Sequence, residues 1–402
     1  MAGAWYRKFL LLSPMKNTAL RNSIALLSIL AVFGCDPSSS DPVTIEKATN
    51  IILFIGDGMG EEHRKAASWI TVGETGFLAM DDMPTIGWAQ TRSADNPVTD
   101  SAAAATAMST GVKTNNGVIG LDANLNFVPT ILEKAKLQGK KTGLVTTTQI
   151  THATPAAFAA HVVNRNMMTD IAEQIIDAQV DVILGGGEDE FLPTTDIGCY
   201  PQTGERADGR NLIDEAVAVG YTYVCDSASF SAIDPISTDR LLGLFADEGM
   251  SRPFSPSLVE MTYKAIDILS RNPAGFFLLV EGGQIDWASH SNDADNAISD
   301  TVELDKAVKA ARDYALVNDD TLVIVAADHE TGGMSVSLSS SGAPGEDGPF
   351  GMPDGKLFYV NWSTSSHTAA DVPVTSMGPS SELLTGNYEN TQLYDVMRGA
   401  FN

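Results

Sequence analysis

Five short apolar runs punctuate the chain, at residues 51–55, 142–147, 180–184, 276–280 and 322–326. Each is rich in Val, Ile, Leu or Phe, and most end in Gly, Asp or Glu. Continuous apolar runs of this length suit central strands buried on both faces. Between them, residues 61–70, 128–137, 170–178, 256–270 and 296–314 carry the helical period. Strand–helix alternation predicts an α/β fold with a mostly parallel central sheet and helices on both faces. No internal repeat interrupts residues 46–402, which read as one domain.

Ligands of such sheets bind beyond the carboxyl ends of the strands. The residues that leave each run therefore decide the chemistry. The first run is followed by Asp57, the fourth by Glu281, the fifth by Asp328 and His329, and the second, within a few residues, by His152 and Thr154. Asp and His together are metal ligands, and the mixture favours zinc over calcium. Asp286 and His290 stand four apart, so one helical turn points both to one side. Read alone, that pair is an ordinary surface pair. Ser101 opens an Ala-rich helical stretch, where its oxygen suits either an N-cap or a bound anion. No GxSxG surrounds it, so a nucleophile elbow is excluded. The glycines at 56, 58 and 60 do not make GxGxxG, and Ile298 breaks an EF-hand reading of residues 293–300. His63 and His161 fall on helical patterns and read as structural.

Charge and the N-terminus change the picture next. The chain has 25 basic and 51 acidic residues, a net −26. Such a surface argues against nucleic acid as a partner. It also repels a phosphate unless cations or a local Arg reverse the field. Residues 1–35 hold Arg7, Lys8, Lys16 and Arg21, no acid, and an apolar stretch at 23–33. That pattern reads as a secretory signal, followed by a flexible tether over 36–45. Its removal brings the mature chain close to −30. The ending V-F-G-C resembles a lipobox, so Cys35 is a candidate lipid anchor, with plain secretion the alternative. Both predict an exported protein, periplasmic or membrane-anchored. Cys199 and Cys225, with 25 residues between them, are then a candidate disulfide.

Taken together, NIILFIGDGMG (50–60), VTDSAAAATA (98–107), THATPAAFAAHVVNR (151–165), VEGGQIDWASH (280–290) and VAADHETGG (325–333) resemble alkaline phosphatase. The match in order and spacing runs from about residue 50 to 370. The resemblance implies two zinc ions and a third ion, usually magnesium. The first zinc would take Asp286, His290 and His367. The second would take Asp57, Asp328, His329 and Ser101. The third would use Asp57, Thr154 and Glu281, and direct ligation by His152 would favour zinc there. Arg165 would grip two phosphate oxygens. Trp287 stands where some members hold Lys or His, which puts it at the phosphate-binding site with altered affinity and release. Ser101 would attack a phosphate monoester, form a phosphoserine and release inorganic phosphate at alkaline pH. A homodimer and a small cap are implied, with residues 342–355 read as a Gly- and Pro-rich loop. The competing readings are a superfamily phosphodiesterase or sulfatase, or a non-catalytic metal-binding surface lipoprotein.

Overall fold

The computed structural model describes residues 46–339 and 345–401. The signal segment, the tether and Cys35 lie outside the described residues. Among the described residues, fifteen strands form in chain order. They are β1 (Asn50–Gly56), β2 (Thr85–Gln90), β3 (Lys141–Gln149), β4 (Val182–Gly186), β5 (Thr222–Val224), β6 (Leu241–Leu244), β7 (Phe276–Gly282) and β8 (Thr321–Ala327). Then come β9 (Glu330–Thr331), β10 (Ser335–Leu338), β11 (Asp347–Gly351), β12 (Leu357–Asn361), β13 (His367–Thr368), β14 (Val372–Met377) and β15 (Gly386–Glu389). The first helices are α1 (Glu61–Thr71), α2 (Ser101–Thr110), α3 (Ile131–Leu137), α4 (Ala153–Ala159), α5 (Met168–Asp177) and α6 (Leu212–Ala218). The rest are α7 (Ser227–Ser231), α8 (Leu258–Leu269), α9 (Gln284–His290), α10 (Ala294–Ala315) and α11 (Thr391–Phe401).

Ten strands make one sheet in the order β15-β2-β14-β8-β1-β7-β3-β4-β6-β5. Only β14 runs against its neighbours in it; the other pairings are parallel. All five apolar runs become strands of this sheet, and β1, β7 and β8 are buried along their whole length. Each fully buried Ile, Leu or Phe of β1 contributes about 1.5–3 kcal/mol of apolar transfer. Helices α1, α8, α9 and α10 pack together, as do α2, α3, α4 and α11. Central strands with no exposed face require cover on both sides, which these helices supply.

The sheet's outer strands did not announce themselves in the sequence. In β2, buried residues alternate with more exposed ones, as an outer strand requires. The loop expected over 342–355 is corrected too. It contains β11, which pairs with β12, and β10 completes a small three-stranded antiparallel sheet. Phe350 and Phe358 close that sheet against Trp69 and Trp362 in a second apolar cluster.

Register brings the acids together. In β1 and β7, Ile55 pairs with Glu281; in β1 and β8, Gly56 pairs with Ala327. Asp57 and Asp328 are the next residues on adjacent parallel strands, so both carboxylates leave the sheet side by side. Strand β1 lies at the centre, where the chain crosses over in both directions, the position at which such sheets bind ligands.

Candidate metal centre

Gly58 makes the turn after β1. Its φ is +71°, and a Cβ there would meet Thr331 Oγ1 at 2.7 Å and Asp286 Oδ1 at 2.9 Å. Only glycine lets the backbone pass so close. The turn carries Asp57 under the strand exits, and Gly58 N–H donates to Asp328 Oδ1 at 3.0 Å. Asp57, Glu281, Asp328 and His329 are all fully buried. Asp57 Oδ1 and Oδ2, Asp328 Oδ2 and Glu281 Oε1 make no hydrogen bond. Burial, followed by repulsion from Asp328, Asp286 and Glu281, holds the Asp57 carboxyl well above the usual range. Burial first, with Asp328 beside it, pushes Glu281 up to about 7 against hydrogen bonds from Thr146 and Thr148.

Three imidazoles face these acids, and each spends its Nδ1 proton on an oxygen. His290 Nδ1 donates to Ser365 O at 2.7 Å, and His367 Nδ1 to Thr99 O at 2.9 Å. Thr331 Oγ1 donates to Asp286 Oδ1 at 2.5 Å, which leaves it an acceptor for His329 Nδ1 at 3.2 Å. All three Nε2 atoms therefore point lone pairs inward. The two on His290 and His367 lie 3.1 Å apart. They sit 3.3 and 3.5 Å from Asp286 oxygens. His329 Nε2 lies 3.1 Å from Asp328 Oδ2, 3.4 Å from Asp57 Oδ1 and 3.2 Å from Ser101 Oγ. Acceptors facing acceptors in a buried space call for cations. The donor set fits zinc-class ions, and three groups lie within reach of single ions: Asp286, His329 and His367; Asp57, Asp328 and His329; Asp57, His152 and Glu281. Protons compete for the same atoms. The hydrogen bond to Asp286 raises His290 to about 9, while His290, His329 and His367 together overcome burial and hold Asp286 low.

Ser101 is not the cap of its helix. Asp100 takes that role, accepting from Ala103 N at 3.0 Å, so Ser101 is the first helical residue and its hydroxyl is free to face the centre. The capping expectation for Ser101 is thereby corrected by one residue. Asp100 also accepts from Arg165 Nη1 at 3.2 Å, and Arg165 Nη2 reaches His152 Nε2 at 3.0 Å. This brings the guanidinium from a loop beyond α4 to the Ser101 side of the centre. His152 precedes α4, and burial, then Arg165, push it down to about 3. The buried Thr154 hydroxyl faces Glu281. Asp286 and His290 share α9, as their spacing predicts. The Trp287 ring stands edge-to-face on His152, with centroids 5.9 Å apart. Thus all twelve residues singled out in the sequence converge on one edge. Asp100 and Thr331 were missed, although each adjoins or nearly adjoins a residue that was found. Cys199 and Cys225 are joined in a disulfide.

The sequence model of the alkaline phosphatase family matches residues 48–348. Alkaline phosphatase 3 of Bacillus subtilis is 36% identical, with 87% of this chain and 88% of that protein covered. Alkaline phosphatase of Escherichia coli is 35% identical over 90% of this chain and 87% of its own length. Among solved structures, that of the alkaline phosphatase from the Antarctic bacterium TAB5 superposes with a TM-score of 0.77 at 33% identity, covering 89% of this chain and 99% of that one.

Proposed function

The chain belongs to the alkaline phosphatase family and hydrolyses phosphate monoesters, and we propose that it does so through Ser101 with two zinc ions and a third ion beside it. One observation carries this reading. The Ser101 hydroxyl, buried at the first position of α2, lies 3.2 Å from His329 Nε2 among unpartnered carboxylate oxygens. Asp286, His290 and His367 would hold one zinc. Asp57, Asp328 and His329 would hold the other, next to Ser101. Asp57, Thr154, Glu281 and His152 would surround the third ion. The ions supply positive charge for the phosphoryl group and lower the cost of ionising a hydroxyl or a water. Arg165, held by Asp100 and His152, presents its fork to two phosphoryl oxygens. Ser101 Oγ attacks phosphorus in line, its O–P bond forms as the ester O–P bond breaks, and the alcohol leaves. Water then cleaves the Ser101 phosphoester and frees inorganic phosphate. Burial of Asp57, Glu281, Asp328 and His329 holds these groups in fixed positions.

For the third position, two TAB5 alkaline phosphatase variants, with a histidine replaced by Asp or by Glu, hold magnesium in the M3 site. His152 offers a nitrogen donor, which favours zinc there, and His152→Asp would turn the preference to magnesium. Trp287, packed on His152, bounds the phosphate site and can offer only its indole N–H. We further propose export, supported by the basic-apolar leader and by the Cys199–Cys225 disulfide. A homodimer follows from family practice.

Trapping decides the covalent step. Acid quench after incubation with radiolabelled phosphate should leave label on Ser101 in the native protein and none on Ser101→Ala. The variant should keep its zinc while turnover falls by on the order of 10³-fold or more. Near-native turnover in Ser101→Ala ends the nucleophile assignment.

A further inference from the structure

Helix α9 holds Asp286 and His290, yet it has only seven residues and no side-chain cap at its start. A helix this short does not hold itself in place; tertiary ties must. His63, the third residue of α1, supplies one from outside the ligand set. His63 Nε2 lies 2.9 Å from Ser289 Oγ, the neighbour of His290. Ser289 Oγ spends its proton on Ile285 O at 2.8 Å, so it accepts from His63 Nε2–H. His63 Nδ1 is then the free acceptor, and Gly60 N–H donates to it at 3.2 Å. Gly60 ends the turn that carries Asp57. His63 and Ser289 are both buried. The imidazole also stands edge-on to Trp362, with centroids 6.0 Å apart, and Trp362 leads into the segment that reaches His367.

We infer that His63 is a positioning residue for the outer cation site, that of Asp286, His290 and His367: by tying α9 to the turn after β1, it fixes Asp286 and His290 against Asp57 and sets how firmly that outer ion is held. This rests on the metal reading above. A histidine that merely fills the core would affect stability alone, so the two roles separate in metal kinetics.

The experiment follows zinc release from the loaded protein to a chromogenic chelator, beside the thermal midpoint and the split between kcat and KM. Asn at 63 keeps an acceptor near Gly60 but falls short of Ser289; Gln reaches toward Ser289 with its amide nitrogen. Ser289→Ala and His63→Asn should each release the outer ion about tenfold faster. The double variant should be no faster than either alone, because both cut one link. His63→Gln should recover most of the native rate. Native release rates in Ser289→Ala and His63→Asn, or effects that add, overturn the inference whatever the thermal midpoint does. Ser289→Ala deletes one hydroxyl only, which keeps a folded variant in hand. Native protein that retains no zinc through gel filtration overturns the metal reading itself.

Discussion

Two buried acidic groups crowd the same edge of the sheet and meet their repulsion differently. At the exits of β1, β7 and β8, Asp57, Glu281, Asp286 and Asp328 stand among three imidazoles with inward lone pairs. At the exit of β4, Asp189 and Glu190 lie against each other, with Glu248, Glu205 and Asp247 near Asp189 and no imidazole among its partners. Among the described residues, groups able to hold one ion occur in the first region and not in the second. The second lacks such ligands, and its acids are pushed toward the protonated form. Burial first, then the surrounding acids, push Asp189 up to about 6 and Glu190 well above its usual range. Glu248 is met by the Gln149 amide at 2.5 Å rather than by a cation. Acidity alone attracts a proton. Imidazoles oriented from behind by carbonyls and a hydroxyl turn acidity into a cation site.

The contrast can be broken most severely by chelation. Exhaustive removal of divalent ions should lower phosphatase turnover by on the order of 10³-fold or more, with recovery on return of zinc and magnesium. Activity assays paired with elemental analysis check this, and full activity in metal-free protein would erase the distinction between the two regions. A smaller effect is expected at Arg165. Its loss as Arg165→Ala should weaken inhibition by inorganic phosphate roughly tenfold to a hundredfold, the value of a charge-assisted pair of hydrogen bonds. Unchanged inhibition would remove the fork from the phosphate site.

The smallest effect belongs to the β4 exit and concerns stability. Asp189 has a folded-state pKa of about 6 against the usual 3.8. Between those values the native state binds the extra proton, so this carboxyl's contribution to stability is fully present below about pH 4 and is lost as pH rises through about 6. Asp189→Asn should therefore raise the thermal midpoint at pH 8 by a few degrees and leave it nearly unchanged at pH 4. Turnover should stay within about twofold, since this acid takes no part in the metal centre. Thermal scans across pH check it. Equal shifts at both pH values would show that protonation is not what relieves the second region.

Much of the centre was legible because parallel strands export their last residues to one edge. Asp57, Glu281, Asp328 and His329 follow apolar runs directly, and the i,i+4 spacing of Asp286 and His290 survives as one turn of α9. His367 and Arg165 carried no such local mark and entered through family resemblance alone. His367 meets His290 across 77 residues of sequence, and Arg165 meets Asp100 across 65. Strands β2 and β15 escaped notice because outer strands need less continuous apolar character than central ones, and β14 because Pro373, Thr375 and Ser376 interrupt its apolar run.

The amino-acid order by itself fixed the buried strands, the family and the kinds of ligand, since burial and ligand chemistry are written in residue type. Folding alone decided that Asp100 rather than Ser101 caps α2, which frees the hydroxyl. It alone decided which imidazole nitrogen faces inward and that His63 spans two ligand-bearing segments. Those outcomes depend on hydrogen bonds between residues distant in sequence. Local pattern carries no term for such partners; only packing in three dimensions selects them.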